Sequence, residues 1–192
     1  MILGITGGIG SGKSTVSLIF DLFGVRVYNS DRRAKDLMVT DRELVNSIRS
    51  EFGAEAYNQG VLNTDFLADV VFNSPQALKT LNSLVHPVVS RDFNEWCLTK
   101  KGNTLAKEAA ILVESGAYRQ CDAVVVVDAP EDVRVRRVME RDGVSEHAIK
   151  SRMKNQMNPA ELLKYADFMI NNSGDELLIP QVKSILDKVT NV

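Results

Sequence analysis

The chain has 192 residues, 44% hydrophobic and 25% charged, with a formal net charge of −2; that is enough chain to bury one domain's core, and it carries no positive excess to draw nucleic acid or an anionic membrane surface. Cys97 and Cys121 have no close cysteine neighbour in the sequence, which argues against a disulfide framework or a cysteine metal site. No charged segment precedes the apolar opening and no apolar run nears the roughly 18 residues of a membrane span, so a reducing cytosol is the expected compartment.

The first predicted element is "ILGIT", a short continuous apolar run ending at glycines, which reads as a buried parallel strand. "STVSLIFDLFG" spaces its apolar residues as a helix does and closes on Gly24. "VRVYN" reads as a second strand. From Asp31 to about Lys101 the pattern is mainly helical; Ser74 is a good N-cap with Pro75 behind it, and Pro87 is expected to kink or break the long stretch after it. Strands return with "TLAKEAAIL" and with "DAVVVVDAP", whose four valines suit burial on both faces. After Pro130 the stretch "EDVRVRRVMERD" is helical, Gly143 ends it, and Ser145 can cap "EHAIKSRMKNQM". "ADFMIN" is the last strand and "DELLIPQVKSILDKV" the closing helix. Strands alternating with helices predict an α/β fold with a parallel sheet. The block from about 32 to 101 has no Pro/Gly/Ser-rich flanks, so it reads as a helical insertion within a single domain spanning 1–192.

The glycines between the first strand and helix are explained by the Lys-Ser pair at their end. "GGIGSGKS" fits G-x-x-x-x-G-K-[ST] at Gly7, Gly12, Lys13 and Ser14, in the strand–loop–helix context that this phosphate-binding loop requires. Glycines let successive backbone N–H groups converge on phosphates, and the helix N-terminus adds a favourable dipole. The nucleotide-binding set is therefore Gly8, Ile9, Gly10, Ser11, Gly12, Lys13, Ser14 and Thr15. Lys13 reaches the β- and γ-phosphates of ATP and the Ser14 hydroxyl is placed to ligate Mg²⁺.

No N-K-x-D guanine-reading motif is present, which disfavours a GTPase. Asp31 comes after the second strand at its carboxyl end, where ligands of an open parallel sheet bind; from the residues alone it can be a proton acceptor in phosphoryl transfer or a cap on the next helix. Arg134, Arg136, Arg137, Arg141 and Arg152 cluster beside Gly143. They suit cations over a transferring phosphate on a mobile lid, or solvated helix surface.

"GITGGIGSGKSTV", "VYNSDRRAKDL", "LNSLVHP", "ILVESG" followed by "CDAVVVV", "RVMERDGVS" and "RMKNQM…ADFMINNSG" together resemble the dephospho-coenzyme A kinases, nearly end to end. The resemblance implies a doubly wound, five-stranded parallel sheet with a helical substrate-binding lobe and a lid at about 137–152. It implies ATP-dependent phosphorylation of the 3′-hydroxyl of dephospho-coenzyme A, with no nucleic-acid or membrane partner and a monomer or weak homo-oligomer. Carried over by position, Asp31 is the general base, Arg141 the lid arginine on the transferring phosphate and Arg137 a second phosphate ligand. His86 lies in the acceptor lobe, as ligand or as a satisfied lobe histidine, and Asn172 lies near the adenine. Three positions depart from the family pattern: Asn29 stands where an aspartate is usual, Ala110 replaces a proline, and Ser90 replaces an arginine. Arg91 is one position further on, about 100° around a helix. Kinases of nucleosides or nucleoside monophosphates share the core and lid but not "LNSLVHP", and a non-catalytic ATP switch would bind ATP without acceptor-dependent ADP release.

Overall fold

The computed structural model describes residues 1–100 and 104–190; position 101, where the sequence reading ends the helical insertion, and the last two residues lie outside that description. In chain order the regular elements are β1 (Ile2–Thr6), α1 (Lys13–Leu22), β2 (Arg26–Asn29), α2 (Ser30–Thr40), α3 (Arg42–Phe52), β3 (Tyr57–Asn58), β4 (Val61–Leu62), α4 (Thr64–Asn73) and α5 (Pro75–Thr99). Beyond these lie β5 (Leu105–Glu108), β6 (Ala123–Asp128), α6 (Glu131–Asp142), α7 (Glu146–Met153), α8 (Pro159–Leu162), β7 (Phe168–Asn171) and α9 (Leu178–Thr190). They form two compact units, one of residues 1–29 with 100–192 and one of residues 30–99.

The first unit is built on a parallel five-stranded sheet in the order β2-β5-β1-β6-β7. The central strands β1 and β6 are buried on both faces, which is why they read as apolar runs. Val125 and Val127 of β6 join Leu3, Ile5, Val16, Phe20, Val182 and Ile185 on the face covered by α1 and α9. Val124 and Val126 point the other way, into a cluster with Leu112, Val113 and Leu162. The predicted strand "TLAKEAAIL" ends at Glu108, because the chain turns there and sends Leu112 back under the sheet beside Gly4. Among the described residues no helix is long and apolar enough to cross a membrane.

In the second unit α5 packs against α2, α3 and α4. Ser74 caps α5 through the Ala77 N–H at 3.2 Å. Of the kink or break expected at Pro87, the break does not occur: the helix continues through Pro87 to Thr99, and packing against α2, α3 and α4 offsets the loss of one ladder hydrogen bond. The bidentate Arg33–Asp92 pair (2.6 and 3.0 Å) joins α2 to α5. A small β3–β4 hairpin interrupts the helices.

Candidate active site

The loop between β1 and α1 leaves the carboxyl end of the central strand, where an α/β sheet offers its ligand crevice. Gly12 precedes α1 with φ 92°, a left-handed conformation that brings the chain into the helix. A Cβ there would lie 2.1 Å from Asn172 Nδ2, so any side chain would displace that amide. The first-turn N–H groups of Ser14 and Thr15 have no carbonyl one turn earlier to bond within the helix, and no acidic residue competes for that end. Positive dipole and unused donors are what a phosphate site requires.

Lys13 is 8% exposed, and its ammonium donates to the carbonyls of Gly7 (2.7 Å) and Gly8 (3.2 Å), lying back along the loop. Two further side chains brace the loop from a distance in sequence. Asn172 Nδ2 donates to the Ser11 carbonyl at 2.7 Å, and Arg137 donates to the Asn172 carbonyl (3.0 Å) and Oδ1 (3.5 Å). Two residues assigned to the nucleotide from the sequence, Arg137 and Asn172, therefore meet each other, and Asn172 meets the loop. Gln156 Oε1 accepts the Ile9 N–H at 2.8 Å while its amide donates to the Ala110 carbonyl at 3.4 Å. Gln156 is missing from the sequence-derived site; its only sequence signal is the "RMKNQM" segment.

Ser14 is exposed in the first turn of α1. A hydroxyl oxygen at a helix N-terminus suits Mg²⁺, which takes few protein ligands and completes its shell with water and phosphate oxygens. Arg141, in the last turn of α6, is largely exposed and makes a bidentate pair with Asp142 at 2.7 and 3.0 Å. That hydrogen bond raises the guanidinium's pKa further and holds the Asp142 carboxyl below its usual range.

Asn29, where the family usually has aspartate, donates from Nδ2 to Glu108 Oε2 at 2.7 Å. Glu108 is 4% exposed at the carboxyl end of β5, beside Asn29 in the β2–β5 register. An aspartate at 29 would set two carboxylates at hydrogen-bonding distance; the amide supplies the donor instead, and the carboxylate of this pair sits on the neighbouring strand. Spacing gives no hint of a partner 79 positions away.

In the second unit, Asp31 is exposed in the first turn of α2, and His86 is half-buried on α5 between the buried Val85 and Val89. Arg91 pairs with Asp41 at 2.8 Å, while the other oxygen of Asp41 caps α3 through the Leu44 N–H. Its one-residue shift thus places it in a structural ion pair.

A family model described as dephospho-CoA kinase matches residues 1–177. The chain belongs to the dephospho-CoA kinase family. It is 41% identical to a dephospho-CoA kinase of Porphyromonas gingivalis over 188 residues, covering 97% of this chain and 93% of that one. It is 38% identical to one from Bacteroides fragilis, covering 96% and 90%. Among solved structures, the protein TT1252 from Thermus thermophilus superposes with a TM-score of 0.86 at 33% identity, over 98% of this chain and 97% of that one. A dephospho-CoA kinase from Campylobacter jejuni gives 0.71 at 26%, over 99% and 97%. Shikimate kinase from Acinetobacter baumannii, at 14% identity and 0.57 over 99% and 93%, shares the fold alone. Members of the dephospho-CoA kinase family are phosphotransferases, and the loop, Gln156 and Asn172 all fall within the matched residues.

Proposed function

We propose that this protein transfers the γ-phosphoryl group of ATP to the 3′-hydroxyl of dephospho-coenzyme A, giving coenzyme A and ADP. The observation that carries the reading is the match to the family along residues 1–177, from the loop through the "LNSLVHP" and "RVMERDGVS" segments to Asn172. The loop's geometry agrees with the role. First-turn N–H groups of α1 hold the phosphates, and Lys13 swings from the Gly7 and Gly8 carbonyls to the β- and γ-oxygens. Ser14 would ligate Mg²⁺, which would neutralise charge on the phosphates.

Asp31 takes the proton of the attacking hydroxyl, since an unassisted hydroxyl is a poor nucleophile. Arg141 leaves Asp142 and moves with residues 137–152, as a lid, onto the transferring phosphoryl. Arg137 and Asn172 hold the nucleotide end of the site through their mutual hydrogen bonds. The helical unit, with His86, receives the acceptor. Steady-state ADP release with dephospho-coenzyme A, adenosine and AMP as acceptors tests this. Turnover with dephospho-coenzyme A alone is the expected result; preference for adenosine or AMP replaces the acceptor, and ATP binding without acceptor-dependent ADP release makes the protein a switch.

A further inference from the structure

Arg134 lies on α6 behind the loop, 6% exposed. A guanidinium is charged at every pH a protein survives, and burying one without a counter-charge is costly. Yet its side chain has no hydrogen bond or ion pair to any described residue, and its Nε is buried without a partner. A buried polar group left so calls for an explanation.

Its surroundings supply one. The guanidinium lies against Gly8: a Cβ built on that glycine would fall 2.2 Å from a terminal nitrogen, so only glycine permits the approach. On the loop itself, Lys13 donates to the Gly8 carbonyl. Two cations therefore converge on one residue of a phosphate-binding loop. Arg134 and Gly8 also line a cavity of about 370 Å³, with Gln156 and Asn158 among its polar walls. Asp128 and Glu131 border the same cavity, but neither comes within ion-pair distance of Arg134. Gln156 fixes the loop at Ile9 beside it, so the cavity wall is held from both sides.

We propose that Arg134 is the cation of a phosphate pocket at the Gly8 end of the loop, binding a phosphate group there as a ligand beyond Lys13, Arg137 and Arg141. Its planar fork suits two phosphate oxygens at once. The source of that phosphate is the terminal group of ATP or a free phosphate ion. The ATP source rests on the kinase reading above; the pocket itself does not.

Calorimetric titration of the parent, Arg134→Gln and Arg134→Lys with ATP, ADP and inorganic phosphate separates the sources, with thermal unfolding of each nucleotide-free protein alongside. If ATP's terminal phosphate is the ligand, Arg134→Gln binds ATP about ten- to a hundredfold more weakly while ADP changes little, and Arg134→Lys falls between. If a free ion is the ligand, inorganic phosphate binding disappears in Arg134→Gln and the ATP-to-ADP affinity ratio stays put. In both cases the nucleotide-free Arg134→Gln protein melts no lower than the parent, since an uncompensated buried charge has been removed. The proposal is overturned if neither the ratio nor phosphate binding changes, or if Arg134→Gln melts well below the parent or fails to fold, which would make Arg134 a structural brace. These titrations need no acceptor, so they stand even if the parent makes no coenzyme A.

Discussion

Gly12 and Asn172 lie far apart in sequence yet occupy one piece of space, and a double-mutant cycle measures that directly. Alanine at 12 must hold φ near 92°, at a cost of about 1–2 kcal/mol for a residue with a Cβ. Its Cβ would also sit 2.1 Å from Asn172 Nδ2, so the amide must withdraw and break its 2.7 Å bond to the Ser11 carbonyl, worth about 1 kcal/mol net. Asn172→Ala alone loses that same bond but keeps the backbone carbonyl that Arg137 uses. In the double variant the bond is lost only once and the clash is gone. Its destabilisation should therefore fall short of the sum of the singles by about 1 kcal/mol. Urea unfolding of the four proteins, fitted with a common slope, gives the coupling. Additivity within about 0.3 kcal/mol would refute the packing of Asn172 on the loop.

Three further outcomes rest on named residues. Asp31→Asn keeps size but cannot take a proton, so kcat should drop at least about a hundredfold with near-normal ATP binding; turnover within a few-fold of the parent would leave Asp31 a first-turn residue only. Arg141→Ala should lower kcat more than ATP affinity measured without acceptor, because Arg141 is paired with Asp142 and reaches the phosphoryl group only on lid closure; equal losses would place it in the open nucleotide site. Tyr57, buried, donates to the Met38 carbonyl at 2.6 Å, and burial, partly offset by Arg49, pushes its pKa up. A raised folded value means stability present below the unfolded value of 10.0 and lost as pH climbs through the folded one. Tyr57→Phe should be less stable than the parent by about 1 kcal/mol at neutral pH, with the gap narrowing in alkali; a gap that is constant with pH would contradict this.

Local pattern was legible in the sequence. Strands buried on both faces write themselves as apolar runs, so β1 and the four valines of β6 stood out. Helix ends announced themselves through Ser74, Ser145 and Gly143. The β3–β4 hairpin was missed because its strands are two residues each, too short for any period, and its turn puts Gln59 rather than Asn at a positive φ. Lys107, 2% exposed inside β5, is tolerated because Gln120 takes its ammonium at 2.6 Å; that partner lies outside any local window. The loop's place between β1 and α1 was readable for the same local reason as the strands. Its braces were not, since Asn172 on Ser11, Gln156 on Ile9 and Glu108 on Asn29 are joined only by the fold.

The most direct test of the central claim is to incubate the protein with MgATP and dephospho-coenzyme A and read the products by mass spectrometry, with a parallel sample lacking ATP. The account predicts one new product, heavier than the acceptor by one phosphoryl group, fragmenting as a 3′-phosphate and matched mole for mole by ADP. ADP formed without that product, or a phosphoryl group found at another position, would contradict it.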